Sequence, residues 1–433
     1  MTDISFLYTC FQQHPVVCTD TRQISPGCIF FALKGDKFDA NTFTAQALEQ
    51  GAAYAVVDNA AFQLNEQCIL VEDVLTALQD LARHHRQQLN IPVIGLTGSN
   101  GKTTTKELIH AVLSERYQAY ATKGNLNNHI GVPLTLLGIG PDVEIAIIEM
   151  GANHQKEIEF LCTIAQPTYG LITNIGMAHL DGFGGFEGVK KGKAELYAHI
   201  KENDGEAFIY RDNPILMEMS AVAGLNKIIY YGQGPDNRVS GELLQSDPFL
   251  ELAWTEDDTR YTVTTQLTGS YNFENILGAI CIGVHFGLTP EQINTGLAGY
   301  APKNNRSQLS KTEHNQVICD FYNANPSSMA AALKNLASLS GEKKIAIIGD
   351  MFELGEESAE QHRLIVALIS VLNLDQAIYI GNHFYAFKAE FDGEFFTTPA
   401  EAQEYLRINP IRDHLILLKG SRGMALEQLL PLL

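Results

Sequence analysis

Short apolar runs alternate with helix-like segments along the whole of this 433-residue chain. Examples of these runs are VIGLTG, EIAIIEMG, GLITNIG, KIAIIGD and LILLKG. Such runs, when they are separated by helices, are typical of parallel strands whose sheet is covered on both faces. The pattern therefore predicts an α/β fold built on mostly parallel sheets.

The chain length and two breaks in this pattern indicate three domains. A prior of roughly 150 residues per domain gives about three domains for this length. One joint is predicted after Gln88, where LNIP precedes a glycine-rich segment, and another within residues 299–308, GYAPKNNRSQ. A turn-rich stretch, residues 231–248, predicts a hairpin or an insertion in the middle part. The predicted domains are residues 1–89, 90–302 and 303–433.

The composition argues against several classes of partner. The formal net charge is −20, and a broad surface for nucleic acid or anionic lipid would need clustered Lys and Arg. The seven cysteines include no C-x-x-C pair, so we predict neither a disulfide framework nor a zinc site and expect a reducing cytoplasm. No run approaches the roughly 18 apolar residues of a membrane span, so we expect no membrane insertion.

Residues 93–110, VIGLTGSNGKTTTKELIH, join an apolar strand to a glycine-rich turn and a helix start. A strict P-loop would need glycine where Leu96 stands, so the match is displaced. The requirements of a phosphate site are still met by small residues, a lysine, a hydroxyl for magnesium and a helix N-terminus. The alternative is an ordinary strand-to-helix turn with an exposed lysine. The predicted nucleotide-binding residues are Gly98, Ser99, Asn100, Gly101, Lys102, Thr103 and Thr104.

Two further apolar strands end in side chains that can bind a metal ion. Glu149 follows IAII, and His179 and Asp181 follow LITNIGMA. Because the ends of parallel strands form the crevice in which α/β proteins bind ligands, we expect Thr103, Glu149 and His179 to converge there. Each signal is weak alone, since strand-end carboxylates are usually solvated and lone histidines are usually structural.

The segment GVKKGKAELYAHI carries no pattern that distinguishes Lys193 from Lys190 or Lys191, and each is expected to face solvent. The glycine-rich turn and the side chains at the strand ends imply a domain that uses ATP or GTP with a metal ion. They leave open whether phosphate is transferred to a carboxylate, a hydroxyl or water, or drives a conformational switch.

Together, the motifs resemble those of the Mur ligase family, which makes the peptide stem of bacterial cell-wall precursors by ATP-driven amide formation. The similarity covers nearly the whole chain and rests on TGSNGKTTTKE, EMGANHQKEI, TNIGMAHLDGFG, KAEL and GSYNFENILGA, in that family's order. A displaced P-loop is typical of the family. The resemblance implies a small N-terminal α/β domain that binds a UDP-linked substrate, a central P-loop-type ATPase domain and a Rossmann-like C-terminal ligase domain.

The resemblance also implies roles for individual residues in binding ATP and Mg²⁺. Lys102, Glu149, His179 and Lys193 would be catalytic. Thr103 and Glu149 would hold one Mg²⁺, while His179 and a carbamylated Lys193 would hold a second.

In the same way, the family likeness implies contacts of the nucleotide with two domains. Asn275 would contact adenine, and Arg306 and Asp320 would reach the phosphate and the ribose of ATP across a cleft. Domain closure would then complete the site.

Within the family, CTDTRQISPGCIFFALKGDKFDANTF, ICDFYNANPSSMAAAL and IIGDMFELGEESAEQH are similar to segments of the member that adds D-alanyl-D-alanine to a UDP-linked muramoyl tripeptide. Those two molecules are therefore the expected substrates, and the tripeptide carboxylate would be activated as an acyl phosphate. The substrate contacts implied are Thr19, Asp20, Thr21, Arg22, Lys34, Tyr322, Asn323, Asn325, Lys419 and Arg422.

Several of these residues have a plainer explanation from their own pattern. Lys34 and Lys37 fit solvated loop lysines as well as diphosphate ligands, and Lys419 and Arg422 fit exposed loop cations. Asn41 stands where relatives often have histidine or aspartate, and it keeps a hydrogen-bond donor for the uridine nucleotide.

The sequence leaves two alternative functions open. One is another amide ligase of the superfamily, such as the enzyme that extends folate with glutamate, although the N-terminal domain argues against it. The other is a nucleotide-driven regulatory ATPase that forms no bond. We expect a monomer, and the sequence does not indicate the third residue of the stem peptide.

Overall fold

The structure is a computed structural model that describes residues 3–341 and 343–433. It is a mixed α/β protein, and most of its strand pairs are parallel. The predicted fold class is confirmed. None of the helices in the described ranges is both long and apolar enough to cross a membrane.

The N-terminal part is a small sheet flanked by helices. Its elements are α1 (Ile4–Gln13), β1 (Val17–Cys18), β2 (Ile29–Phe31), β3 (Lys34–Gly35), β4 (Phe38–Asp39), α2 (Thr44–Glu49), β5 (Tyr54–Val57), β6 (Cys68–Leu70) and α3 (Val74–Gln88). The parallel sheet has the order β1-β2-β5-β6, and β3 pairs with β4 as a separate hairpin. Asp73 caps α3 by accepting a hydrogen bond from the Thr76 amide, and α3 buries Leu78 and Leu81.

The central part is the largest sheet. Its elements are β7 (Val93–Thr97), α4 (Lys102–Leu113), β8 (Ala119–Ala121), α5 (Gly131–Leu137), β9 (Ile145–Glu149), α6 (Glu157–Ala165), β10 (Tyr169–Ile172), α7 (Leu180–Phe183), α8 (Phe186–Glu202), β11 (Glu206–Tyr210), α9 (Pro214–Ala223), β12 (Ile228–Gly232), β13 (Val239–Gln245), β14 (Glu251–Glu256), β15 (Thr259–Thr264), α10 (Phe273–His285) and α11 (Pro290–Gly299).

The strand order of this sheet is β15-β14-β13-β12-β11-β10-β7-β9-β8, with antiparallel pairing confined to β13-β14-β15. Strand β7 lies between β9 and β10, so the carboxyl ends of all three meet at one edge. The predicted hairpin at residues 231–248 is not present, because the two strands in this stretch, β12 and β13, are parallel. They pair at two positions, Tyr231 with Val239 and Gly232 with Ser240. Strand β13 begins where β12 ends, so a short loop suffices to join them.

The C-terminal part has a third sheet. Its elements are β16 (Gln308–Lys311), β17 (Gln316–Asp320), α12 (Pro326–Ser338), β18 (Lys344–Gly349), α13 (Ser358–Val371), β19 (Gln376–Ile380), α14 (Asn382–Tyr385), β20 (Glu394–Phe396), α15 (Pro399–Ile408), β21 (Leu415–Lys419) and the 3-10 helix Leu426–Leu432. The order is β16-β17-β21-β18-β19-β20, and β16 is the antiparallel edge. Insertion of β21 beside β17 pairs Asp320 with Lys419 in register.

Candidate active site

A cleft of about 750 Å³ lies between the central and C-terminal parts. The ends of β7, β9, β17 and β21 open into it, as expected for ligand sites in α/β sheets. Most of the residues predicted for ATP, metal or substrate binding line this cleft. They are Ser99, Asn100, Gly101, Lys102, Thr103, Thr104, Glu149, His179, Asn275, Arg306, Asp320, Tyr322, Asn323, Asn325 and Lys419.

The glycine-rich turn after β7 can take its shape only without side chains at two positions. Gly98 has φ +142° and a Cβ there would collide with the Thr173 hydroxyl, while Gly101 has φ +77° and a Cβ would lie 2.7 Å from Asn275 Oδ1. Gly101 also starts α4 without a side-chain cap. The first N–H groups of α4 are thus left for an anionic ligand.

Lys102 folds back over the turn. Its Nζ donates to the Gly98 carbonyl oxygen at 2.6 Å and to the Ser99 carbonyl oxygen at 3.1 Å. Desolvation lowers the Lys102 pKa to about 8, partly offset by the charge of Glu149. A phosphate group in the cleft would supply the counter-charge that the lysine lacks.

Glu149 is buried at the end of β9 and binds several side chains. Its carboxylate accepts hydrogen bonds from Thr103 Oγ1 at 3.0 and 3.2 Å and from Asn127 Nδ2 at 2.8 Å. The buried Lys106 Nζ lies 3.8 Å from Glu149 Oε2. Of the three residues predicted to converge, Thr103 and Glu149 are therefore hydrogen-bonded, and His179 lines the same cleft.

His179 lies at the cleft with φ +54° and pairs with a residue of the C-terminal part. Its Nδ1 contacts Glu353 Oε2, and this hydrogen bond lowers the Glu353 pKa. Asp181 does not join His179 at the cleft; its backbone N–H donates to the Glu353 carbonyl oxygen at 3.4 Å.

Lys193 does not face solvent as its segment suggested. It is 2% exposed, its Nζ donates to the Ala152 carbonyl oxygen at 3.3 Å, and the Nζ lies 5.1 Å from the centre of the Phe183 ring. Desolvation, and then the charge of Lys102, lowers the Lys193 pKa well below its usual value. Lys191, by contrast, is exposed.

The helical period explains why Lys193 is buried. Lys193 falls on the stripe of α8 that buries Val189, Leu196 and Ile200 at spacings of three and four residues. Ala152, whose carbonyl Lys193 binds, lines the cleft. The period of the apolar residues was thus a signal that could have separated Lys193 from its neighbours.

The C-terminal part contributes charged groups to the facing wall. Lys419 Nζ donates to Asp320 Oδ2 at 2.6 Å, and the Ser307 amide donates to Asp320 Oδ1 at 3.2 Å. Lys419 is 2% exposed, so the alternative of an exposed loop cation is wrong for it. The Arg306 guanidinium lies 3.9 Å from the centre of the Tyr322 ring.

A ring of hydrogen bonds joins the glycine-rich turn to the start of α12. Asn325 Nδ2 donates to Asn100 Oδ1 at 2.7 Å, Asn100 Nδ2 donates to Ser327 Oγ at 3.0 Å, and Ser327 Oγ donates to Asn325 Oδ1 at 2.9 Å. Asn325 also caps α12 through the Ser328 amide. The central and C-terminal parts of the chain thus meet directly at the glycine-rich turn.

Asn275, predicted to contact adenine, is buried beside the turn. Its Oδ1 accepts a hydrogen bond from Thr105 Oγ1 at 3.0 Å and its Nδ2 donates to Asn272 Oδ1 at 2.9 Å. The neighbouring Glu274 accepts a hydrogen bond from Asn174 at 3.1 Å, and burial raises its pKa to about 7.

The predicted residues of the N-terminal part lie outside this cleft. Thr19, Asp20 and Thr21 are partly buried and Arg22 is exposed. Asp20 pairs with Arg22 at 2.6 Å.

The Asp58 carboxylate binds two more residues of the N-terminal part, Lys34 and Asn41. Lys34 pairs with it at 2.7 Å, and the fully buried Asn41 donates to Asp58 at 2.8 Å and to Asp39 at 2.7 Å. The Asn41 donors that were expected to serve a uridine nucleotide are thus already used within the protein.

Arg422 is not brought into the cleft. Its side chain is 62% exposed and pairs with Glu427 at 3.1 Å. The chain turns away from the cleft after Lys419 into a short 3-10 turn, Arg422–Met424, which directs the guanidinium outward.

The donor set at the cleft fits Mg²⁺ that arrives with a nucleotide. Within the described residues, no group of at least three His, Cys, Asp or Glu side chains could hold a metal ion. Glu149 and Thr103 offer hard oxygen ligands, as Mg²⁺ prefers. Magnesium normally completes its shell with phosphate oxygens and water, so a sparse protein contribution suits it.

Comparisons with known proteins give matches along the whole chain. The Mur ligase middle domain matches residues 96–283, the glutamate ligase domain of Mur ligases matches 305–422, and the catalytic domain of the Mur ligase family matches 15–86. The UDP-N-acetylmuramoyl-tripeptide--D-alanyl-D-alanine ligase of Bacillus subtilis is 38% identical over 432 residues, 95% of this chain and 92% of the relative. The chain belongs to the Mur ligase family.

Solved structures of Mur ligases agree with this membership. A MurF structure from Acinetobacter baumannii has a TM-score of 0.86 at 33% identity, covering 96% of this chain and 92% of that one. The MurF ligase from Thermotoga maritima in complex with ADP has a TM-score of 0.85 at 26% identity, covering 100% and 98%. A folylpolyglutamate synthase from Mycobacterium tuberculosis, at 15% identity and a TM-score of 0.65, shares the fold alone.

Several residues of this Mur ligase site were missed from the sequence. Asn127 lies in GNLNNH, a polar run that could have been noted as a loop near the strand ends. Lys106 stands one helical turn after Lys102 and could have been placed beside it. Ser327 and Glu353 carry no signal, because only the packing of the C-terminal part brings them to the turn and to His179.

Proposed function

We propose that this chain joins D-alanyl-D-alanine to UDP-N-acetylmuramoyl tripeptide by an ATP-dependent, Mg²⁺-dependent reaction in the cytoplasm. The observation that carries the proposal is the single cleft that Lys102, Thr103 and Glu149 share with Asp320 and Lys419. The choice of acid and amine follows the names of relatives from Bacillus subtilis, at 38% identity, and Escherichia coli, at 35% identity.

The glycine-rich turn holds the triphosphate in this proposal. Lys102 and the free N–H groups of α4 bind the phosphate oxygens, and Thr103 and Glu149 hold Mg²⁺. The bound ion supplies charge neutralisation, which is the main requirement of phosphoryl transfer. Asn127 and Lys106 keep the Glu149 carboxylate in place.

Lys193 serves as a carbamate in this proposal. Its depressed pKa leaves the amine neutral at a lower pH than usual, and only a neutral amine adds CO₂. The ammonium first loses one proton, and the neutral amine then forms an N–C bond with CO₂ and releases a second proton, so a cation becomes an anion. Carbamylated Lys193 and His179 would then hold a second Mg²⁺.

The C-terminal part completes the proposed site. Arg306 meets phosphate and Asp320 meets the ribose, while Tyr322, Asn323 and Asn325 lie near the dipeptide. Asn275 contacts adenine. Closure of the two walls would keep water from the activated carboxylate.

The reaction couples two bond changes. The terminal carboxylate of the tripeptide attacks the γ-phosphorus, giving an acyl phosphate and ADP. The dipeptide amine then attacks the acyl carbon, the C–O bond breaks and inorganic phosphate leaves. Local cations such as Lys34 would meet the diphosphate of the substrate and so reconcile a net charge of −20 with an anionic ligand.

We also propose that the chain has three domains, residues 1–89, 90–302 and 303–433. The enzyme is proposed to be a monomer that supplies precursors for peptidoglycan synthesis. Each main sheet lies within one of these ranges, which supports the boundaries. Light scattering of the purified protein tests the monomer.

The test is phosphate release with ATP and Mg²⁺, with the UDP-linked tripeptide and D-alanyl-D-alanine supplied singly and together. We expect release only with both, and mass spectrometry should identify the amide product. Release without either substrate would favour a regulatory ATPase. No release with any combination would point to another acid and amine pair.

A further inference from the structure

Two loops from different parts of the chain dock beside the cleft at His179. His179 Nδ1 contacts Glu353 Oε2 across 174 residues of sequence. The Asp181 amide donates to the Glu353 carbonyl oxygen at 3.4 Å, and a Cβ on Gly355 would lie 2.9 Å from Asp181 Oδ1. The two loops are therefore in contact through backbone atoms as well as through side chains.

The contact decides which nitrogen of His179 carries the proton. A carboxylate accepts hydrogen bonds, so Nδ1 donates and the lone pair of the neutral ring stays on Nε2. Among the residues that the structure describes, Nε2 has no hydrogen-bond partner, and His179 lines the cleft. Histidines that bind metals usually donate their other ring N–H to a carboxylate or carbonyl in this way.

We propose that Glu353 is a positioning residue that fixes the ring and tautomer of His179 for metal binding. Docking of the C-terminal part thereby completes a metal ligand that belongs to the central part. The inference rests on the proposed function, because it concerns the second Mg²⁺ of that reaction.

The backbone of both residues supports a specific role for the contact. His179 has φ +54° and Glu353 has φ +61°, a conformation that side chains with a Cβ disfavour. Such residues cluster at functional sites, where the surrounding structure holds them in place. An incidental surface ion pair would need neither of these conformations.

Ring ¹⁵N NMR of the metal-free protein tests the tautomer. The variant is Glu353→Ala, the matched control is Glu356→Ala on the same exposed segment, and His179→Ala assigns the signal. We expect wild type and Glu356→Ala to show the Nδ1–H tautomer and Glu353→Ala to show a mixture. An unchanged tautomer in Glu353→Ala would overturn the proposal.

The Mg²⁺ requirement of the ligase reaction gives the second measurement. We expect Glu353→Ala to raise the Mg²⁺ concentration for half-maximal rate by roughly 10- to 100-fold, the usual effect of losing a partner of a metal-bound histidine. Glu353→Gln keeps an oxygen acceptor, so its Mg²⁺ concentration for half-maximal rate should lie between those of wild type and Glu353→Ala. Glu356→Ala should match wild type. An unaltered Mg²⁺ requirement in Glu353→Ala with full ligase activity would refute positioning. A wild type without ligase activity would refute the proposed function instead, and the NMR result would still decide the tautomer.

Discussion

Four lysines around the cleft are fully or partly buried, and the groups that their ammonium ends contact differ. Lys106 and Lys419 have carboxylate oxygens within 3.0 Å and 2.6 Å, those of Glu107 and Asp320. Lys102 and Lys193 donate to backbone carbonyl oxygens instead, and desolvation lowers the pKa of both. The first pair is thus neutralised within the protein, whereas the second pair can interact with a ligand or undergo modification.

Lys193→Ala should reduce the ligase rate by roughly 100-fold or more, since it removes a proposed metal ligand. Initial rates with and without a short carboxylic acid such as propionate provide the measurement, because an added anion can partly replace the carbamate. Lys191→Ala, on the exposed face of α8, is the matched control. Wild-type turnover in Lys193→Ala would be incompatible with the proposed role.

Lys102→Met should raise the melting temperature of the nucleotide-free protein at pH 7, since it removes a desolvated cation. The wild-type Lys102 pKa is about 8 when folded and its usual value is 10.5, so the folded state binds fewer protons between these values. Wild-type stability therefore rises with pH across that window, and the advantage of Lys102→Met should shrink towards pH 10. A difference in melting temperature that stays constant from pH 7 to 10 would contradict the lowered pKa.

At the scale of elements, the turn between β7 and α4 should tolerate no side chain at Gly98. A positive φ and a collision with Thr173 would force the turn out of shape. Strain of about 1–3 kcal/mol corresponds to roughly 5- to 150-fold in binding, so Gly98→Ala should weaken ATP binding by a factor in that range. Calorimetry with Gly140→Ala, where a Cβ meets open space, provides the control. Equal affinities in the two variants would show that the turn does not bind phosphate.

Two substitutions in the hydrogen-bond ring at the start of α12 should affect nucleotide binding and stability differently. Ser327→Ala removes the hydrogen bonds of Ser327 Oγ with Asn100 and with Asn325 but keeps the Ser328 cap of α12. The link to Asn100 is worth about 0.5–1.5 kcal/mol, so KM for ATP should rise up to about tenfold at a melting temperature close to that of wild type. Asn325→Ala also removes the cap of α12, worth about 0.5–2 kcal/mol, and should lower the melting temperature as well. An unaltered KM in both variants would argue against a link between the turn and the C-terminal part.

Strand and helix assignments followed from local pattern where the pattern was strong. The runs at β7, β9 and β10 are wholly or mostly buried, and a continuous apolar run predicts such a strand. The burial of Lys193 was predictable from the period of α8 but was not predicted. The parallel pairing of β12 with β13 depends on where the chain re-enters the sheet, which turn residues alone do not specify.

At the scale of the whole molecule, the cleft joins residues that sequence order separates widely. Thr103 and Glu149 could be paired because strand ends meet in parallel sheets. The contacts of Asn100 with Asn325 and of His179 with Glu353 depend on how the C-terminal part docks, which no local pattern encodes. For the same reason the sequence did not reveal that Asn41 is internal and that Arg422 points away.

If this cleft transfers phosphate to a carboxylate, one oxygen atom reports on the transfer directly. The measurement is mass spectrometry of the inorganic phosphate released when the terminal carboxylate of the UDP-linked tripeptide carries ¹⁸O. An acyl phosphate predicts one labelled oxygen in each phosphate, because the carboxylate oxygen leaves with phosphorus when the amine attacks. Amide formation with unlabelled phosphate would show that the carboxylate is not phosphorylated in this cleft.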